Sequence, residues 1–324
     1  MKHISLIAPQ GQFSVTNLDL SRQLFSWVNE QAPFPLFQID IVGVAAEAKP
    51  VGDIYTVKTD RLIEEVTHTD VVLIPAIFGE PEQVLADNQA LAPWIMRQYE
   101  QGADLVSMCM GAFFLASLGL LDDKRCSTHW AAANDFRLLY PGAILEDERI
   151  VAESSRIYTS GGALAFTNLI IYLIERYAGR PWAVATAKAF MIDIDRKSQS
   201  AFAIFTGQKG HGDEMVLKAQ EYIEANFAEK LTVEELCEQV GLGRRTFERR
   251  FKQATSNTVV EYMQRVKMEA AKQQLELGHQ SVSEAMFEVG YNDTKAFRDV
   301  FKRWVGMTPT EYRKKYSPQQ MIMG

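Results

Sequence analysis

Along the first 180 positions, apolar residues come in short runs separated by amphipathic stretches. The runs at 4–8, 37–44, 71–75 and 105–108 have the length of buried strands, while 18–28 and 91–99 space their apolar residues as helices do. Strands alternating with helices predict an α/β doubly wound domain, a parallel sheet covered on both faces. Residues 164–177 predict a closing helix, introduced by Ser160-Gly161-Gly162, and 183–192 a further one. The texture then changes. Thr206-Gly207-Gln208-Lys209-Gly210-His211-Gly212-Asp213 has three glycines in eight residues and no apolar period, which predicts a linker. From 214 to 316 only helical spacing remains, and the tail 317–324 is expected to fray. The expected division is a domain over 1–205, a linker over 206–213 and an all-α domain over 214–316.

The helical half contains an internal repeat. Thr232-Val233-Glu234-Glu235 and Val240-Gly241 recur 49 positions later as Ser281-Val282-Ser283-Glu284 and Val289-Gly290. Beyond the turn the offset is 50, so that Phe247, Phe251-Lys252 and Glu261-Tyr262 match Phe297, Phe301-Lys302 and Glu311-Tyr312. One supersecondary unit is present twice. In each copy Thr232 or Ser281 caps a short helix, and Glu235 or Glu284 completes a capping box three residues on. Gly241 or Gly290 then supplies the permissive backbone of a tight turn. In the second helix the phenylalanines, four apart, face inward. The opposite face carries Arg245, Glu248, Arg249 and Lys252 in one copy and Lys295, Arg298, Asp299 and Lys302 in the other. Helix, glycine turn and a helix with a basic outer face predict a helix-turn-helix. The stretch Val259–Leu277 reads as a long helix joining the two copies.

Charge sharpens this contrast. The chain of 324 residues carries a net charge of −7. Residues 1–213 hold 17 basic and 25 acidic groups, net −8, whereas 214–324 hold 17 and 16, net +1; within 244–315 the balance is 15 to 9, net +6. An acidic body with a basic helical module fits a nucleic-acid binder, and the overall acidity argues against indiscriminate binding to polyanions. No run of 18 apolar residues is present, so no membrane partner is expected. The start of the chain reads as a strand, not a signal peptide. Three distant cysteines, Cys109, Cys126 and Cys237, show neither metal spacing nor a disulfide framework, which fits a cytoplasmic protein without metal or cofactor.

Residues 214–316 resemble the DNA-binding domain of the AraC family through Val289-Gly290-Tyr291-Asn292-Asp293, Phe297, Phe301-Lys302-Arg303, Gly306-Met307-Thr308-Pro309 and Tyr312-Arg313. The resemblance implies two recognition helices in successive major grooves of double-stranded DNA. It assigns base contacts to Arg244, Arg245, Glu248 and Arg249, and to Thr294, Lys295, Arg298 and Asp299. Lys252, Lys302 and Arg303 are assigned to phosphates. Gly243 stands where the family usually has a capping serine, and Asp299 where arginine is common.

Candidate chemistry in the first half centres on Ser107-Met108-Cys109-Met110-Gly111, a thiol at a strand-to-helix turn near a helix N-terminus, an arrangement that favours thiolate. His129, in Cys126-Ser127-Thr128-His129-Trp130, is a candidate base. Residues 1–180 resemble the PfpI/ThiJ domain of the class I glutamine-amidotransferase-like superfamily, which is flavodoxin-like. Cys109-x-Gly111-Ala112-Phe113, Gly119-Leu120-Leu121-Asp122 and Thr128-His129-Trp130 are typical of its branch fused to AraC-type domains, the GlxA-type regulators. The resemblance places Cys109 on the reactive cysteine, His129 on the histidine, Asn17 where catalytic relatives have an acid, and Ala76-Ile77 where a Gly-Gly supplies oxyanion donors. Two catalytic parts are thus altered, and no residue is assigned a catalytic role. Asn17, Ala76, Ile77, Cys109, Met110, His129 and Trp130 form the candidate ligand pocket. The implied partners are DNA, a second copy of the chain, RNA polymerase as a candidate contact, and a small effector. An amino-acid or quaternary-ammonium metabolite is the effector class considered, with Trp130 and Phe78 as aromatic surface. Two readings stand beside this regulator: a cysteine-dependent hydrolase or amidase, and a Cys109 redox sensor, each with an attached DNA-binding domain.

Overall fold

The computed structural model describes residues 1–50 and 54–318. It divides into two compact units, Met1–Gln199 and Ser200–Gly324.

The first unit is built on a seven-stranded sheet: β1 (Lys2–Ala8), β2 (Phe37–Gly43), β3 (Arg61–Leu62), β4 (Val71–Ile74), β5 (Asp104–Met108), β6 (Val151–Ser154) and β7 (Ile157–Ser160), in the order β6-β7-β5-β4-β1-β2-β3. All neighbours are parallel except β6 and β7. Alternation along the strands feeds two apolar layers. Ile4, Leu6, Leu73, Val106 and Met108 pack with helices α1 (Val15–Gln31) and α6 (Phe166–Ala178). Ile7, Val72, Ile74 and Leu105 pack on the other face with α3 (Leu91–Glu100) and α4 (Gly111–Ser117). This is the parallel sheet covered on both faces that the alternating pattern predicts, in the flavodoxin-like form that the resemblance implies. Short helices α2 (Pro81–Asp87) and α5 (Ala133–Leu139) and the closing α7 (Arg180–Ala189) complete the unit.

The β6–β7 hairpin did not follow from the sequence pattern. Its turn residues, Ser155 and Arg156, have φ of +50° and +63°. Two successive left-handed residues match the twist of a tight hairpin, but glycine or asparagine normally signals such a turn. Helix α1 starts earlier than the apolar period suggests because Ser14 caps it, its side chain accepting from the Asn17 amide.

The second unit is helical throughout: α8 (Glu214–Ala225), α9 (Val233–Val240), α10 (Arg244–Thr255), α11 (Val259–Leu277), α12 (Val282–Glu288), α13 (Thr294–Val305) and α14 (Pro309–Tyr316). Thr232 with Glu235, and Ser281 with Glu284, form the two expected capping boxes; Thr258 with Glu261, and Thr308 with Glu311, add two more. Each copy has its own core. Phe247, Phe251 and Tyr262 centre one, and Phe297, Phe301 and Tyr312 the other, all buried. The paired phenylalanine rings lie 5.6 Å apart in the first copy and 5.7 Å in the second, so the repeat holds in three dimensions. Burying each such ring stabilises its core by about 1.5–3 kcal/mol. Helix α11 serves both cores, with Val259 and Tyr262 in the first and Met268, Ala271 and Leu275 in the second.

The compact units divide after Gln199, six residues before the end of the domain read from the pattern. Residues 206–213 carry no helix or strand, yet they are anchored on the helical unit. Gln220 Nε2 donates to Gln208 O at 2.7 Å, Lys209 pairs with Glu224 at 2.6 Å, and Asp213 caps α8 while pairing with Arg250. Gly207, at φ +72°, passes so close to Tyr262 that an added Cβ would lie 2.4 Å from its hydroxyl oxygen. Composition alone hides this, because a glycine needed for close approach looks like a glycine in a tether. At the other end Ser317 is buried and its amide donates to Arg313 O; residues 319–324 of the expected frayed tail lie outside the described residues.

Candidate functional site

The strand-to-helix turn after β5 sets the geometry of the first unit's cleft. Cys109 has φ +55°, a left-handed conformation that side chains with a Cβ rarely adopt. Gly111 opens α4 against the turn after β4, where an added Cβ would lie 2.6 Å from Pro75 O. That contact seats Cys109 beside Ala76. The Ala76 amide donates to Asn17 Oδ1 at 2.9 Å, and the Ser14 amide donates to Ala76 O at 2.9 Å. The Ala76 backbone N–H is therefore already bonded, and its partner is the Asn17 side-chain amide, the two positions that the resemblance gives to an oxyanion donor and an acid.

Cys109 is buried, and burial pushes its thiol pKa up; the backbone amides of Ala163 and Met110 beside the sulfur only partly pull it back. The expectation that the helix N-terminus favours thiolate is thus corrected. Desolvation of the sulfur outweighs the helix start. Ala163, across the cleft, is a second left-handed residue, at φ +47°.

His129 is committed elsewhere. Its Nδ1 accepts the Ala131 amide at 3.0 Å, which caps the following helical turn. Its ring lies against Gly162, where an added Cβ would be 2.0 Å from Cδ2. Burial lowers its pKa, favouring the neutral ring. Among the described residues no hydrogen bond joins it to Cys109. The loop that carries it is tied down by Gln199, whose Nε2 donates to Thr128 O at 2.8 Å, and by Thr128, whose hydroxyl donates to Cys109 O at 2.9 Å.

The seven pocket residues read from the sequence do not share one cavity. Asn17, Ala76 and Cys109 line a cleft of about 210 Å³ with Ser14, Phe78 and Leu164. Ile77 and Met110 line a separate cavity of about 360 Å³, walled by Phe113, Phe114 and Tyr140 and edged by Glu80 and Asp135. His129 and Trp130 line neither; the aromatic side chains at the cysteine cleft are Phe78 and Phe166. The larger cavity was missed because α5 is short. That helix buries Ala133 and Phe136, while the apolar pair Leu138-Leu139 stays exposed. Among the described residues no group of three or more His, Cys, Asp or Glu could hold a metal ion, and no helix is long and apolar enough to cross a membrane.

In the helical unit, α10 and α13 present their basic faces outward. Arg245, Arg249 and Lys252 on α10 are exposed, as are Thr294, Lys295, Arg298, Asp299 and Lys302 on α13. Arg244 and Glu248 are exposed but bond each other at 3.1 Å, and Arg244 also pairs with Glu234 on α9. Gly243 gives α10 no side-chain cap, and this Arg244 pairing braces the start of the helix instead. Helix α13 starts more firmly, with Asp293 accepting the Ala296 amide at 2.6 Å. Arg303, assigned to phosphate, lies 3.6 Å from Glu261 and stacks on the Trp304 ring at 5.0 Å.

The raised thiol pKa gives a direct expectation. Iodoacetamide labelling of Cys109, followed by peptide mass spectrometry, should be slow at neutral pH and speed up only above the ordinary thiol pKa of about 8.5. Labelling at pH 7 as fast as that of a free thiol contradicts a protonated, buried Cys109.

Comparison with known proteins agrees with both halves. Residues 36–176 match the DJ-1/PfpI family and residues 236–315 match the helix-turn-helix domain family. The HTH-type transcriptional regulator ArgR of Pseudomonas aeruginosa is 26% identical over 235 residues, covering 72% of this chain and 71% of ArgR. GlxA, an HTH-type transcriptional regulator of Rhizobium meliloti, is 22% identical over 238 residues, covering 73% of each. In fold, the chain is similar to a DJ-1 superfamily protein from Salmonella typhimurium, with a TM-score of 0.50 at 17% identity over 60% of this chain and all of that one. The chain belongs to the HTH-type transcriptional regulators that join a DJ-1/PfpI domain to an AraC-type helix-turn-helix domain.

Proposed function

We propose that this regulator binds a small metabolite in its DJ-1/PfpI domain without turning it over, and that binding alters its hold on DNA. The observation that carries this reading is the hydrogen bond from the Ala76 amide to Asn17 Oδ1. It consumes an oxyanion donor and fills the acid's place with an amide. A protonated Cys109 and a His129 spent on a helix cap support the same reading. The cleft at Cys109, lined also by Asn17, Ala76 and Phe78, is the effector site in this account, and the resemblance keeps amino-acid and quaternary-ammonium metabolites as its ligand class. Coupling then runs through the relative stability of ligand-bound arrangements, not through a chemical step.

On DNA, Arg245, Arg249, Lys295 and Arg298 read base edges, while Lys252 and Lys302, one turn further along their helices, hold phosphate. Two chains pair through the first domain so that half-sites are read together, in the cytoplasm and within reach of RNA polymerase. Light scattering that returns a monomer at micromolar concentration contradicts the pairing.

Gel-shift titration on duplexes selected from genomic DNA separates the two contact classes. Arg249→Ala is expected to cost about 1–3 kcal/mol and to relax sequence preference. Lys302→Ala is expected to weaken all sequences alike and to lower the slope of log K against log salt by about one. Equal, sequence-independent losses for both variants contradict the assignment.

Thermal-shift screening against a metabolite library tests the sensing site. A metabolite that raises the melting temperature, and is recovered chemically unchanged after long incubation, is the expected result. Steady conversion of the same compound to product contradicts a non-catalytic cleft.

A further inference from the structure

Helix α11 ends one core and begins the other, and Lys267 sits at the changeover. Its ammonium group donates to Glu229 O at 3.1 Å and to Val289 O at 3.0 Å. Glu229 lies in the turn that follows α8, on the first copy; Val289 is the C-cap of α12, on the second. The ammonium group also lies 5.8 Å from the centre of the Tyr291 ring, directly after the second turn glycine. A lysine offers three donor hydrogens. Here two carbonyls, one from each copy, accept two of them, and the charge lies over an aromatic face. Placing a cation on the last carbonyls of α12 is also electrostatically favourable.

The two segments held by Lys267 are in contact with each other. Gly290, at φ +76°, approaches the 228–229 turn so closely that an added Cβ would lie 2.1 Å from Ala228 O and 3.0 Å from Lys267 Nζ. Lys267 is half-buried, with burial lowering its pKa, and borders a small cavity of about 170 Å³ between Phe227, Met263 and Tyr291. Its side chain therefore does not present its charge to a phosphate backbone as Lys252 and Lys302 do.

We propose that Lys267 is a positioning residue for DNA binding, clamping the two helix-turn-helix copies at one mutual angle so that α10 and α13 meet successive grooves together. The proposal rests on the reading that both helices contact one duplex. Two linked modules bind far more tightly than either alone only when their geometry allows simultaneous contact. A loosened clamp costs affinity on a complete site and nothing on half of one.

The test uses the full chain and two probes: a duplex enriched by the wild type from genomic DNA, and the same duplex with the half read by α13 scrambled. Lys267→Met is expected to lose roughly tenfold or more in affinity on the complete duplex and less than about twofold on the scrambled one. The salt slope should stay unchanged, because no phosphate contact is removed. Lys267→Arg, which keeps the charge and donors, should bind as the wild type does. If Lys267→Met loses its melting transition, Lys267→Gln carries the same comparison. Equal losses on both duplexes, or no loss on either, overturn the clamp. A salt slope lower by about one also overturns it, marking Lys267 as a phosphate contact. A wild type indifferent to the scrambling overturns instead the two-helix reading beneath it.

Discussion

The hydrogen bond between the Ala76 amide and Asn17 Oδ1, 2.9 Å long, joins the first turn of α1 to the turn after β4. The parts of the first unit that could do chemistry are arranged around it. Asn17 is buried; its backbone N–H donates to the Ser14 side chain while its Oδ1 accepts the Ala76 amide, so backbone and side chain are each held by one bond. Ile74 and Pro75, which lead into Ala76, form the wall against which Gly111 packs, two residues after Cys109 in its left-handed turn. An acid at position 17 could not play the same part unless it accepted the same amide, and would then lend a negative charge to the cleft. An asparagine keeps the architecture of a nucleophile turn and removes its charge. On the non-catalytic reading proposed above, the shape of the site is kept without its reactivity.

A different economy governs the helical unit. Its two copies share the phenylalanine pair, the capping box and the glycine turn, all features of folding, and differ where they face outward. Helix α10 lacks a side-chain cap and is braced by Arg244 between two carboxylates; α13 has a capping aspartate but carries Asp299 among its bases. Helix α10 is therefore more basic and lacks a side-chain cap, while α13 is capped and less charged. Electrostatic attraction to DNA carries no sequence preference, which comes from base-edge contacts and duplex shape. On the proposed reading, the two helices thus meet a shared site on unequal terms.

Much of this was legible in the sequence. The apolar runs named four strands of the sheet, and the repeat at offsets of 49 and 50 named both helix-turn-helix units with their caps and turns. What stayed hidden has identifiable causes. The β6–β7 hairpin turns on Ser155 and Arg156, residues that do not advertise a left-handed turn. Residues 206–213 look like a tether because nothing local reveals that Gly207 exists to let Tyr262 and Glu224 approach. At the cleft, resemblance named Asn17, Ala76 and Cys109 as neighbours, and the fold brings them together; it also named His129 and Trp130, which line neither cavity. Spacing along a chain reports which elements carry a residue. Which partner claims its polar atoms is a tertiary property, and for His129 that partner is the Ala131 amide.

The central claim, that the first domain signals by binding and not by a reaction at its cysteine, is tested most directly by Cys109→Ala in a reporter strain grown with and without the inducing metabolite. The account predicts that the variant, folded and able to bind the metabolite, still changes reporter output when the metabolite is added. A variant that folds and binds the metabolite as the wild type does, yet no longer responds, would contradict it and return a covalent or redox step to Cys109.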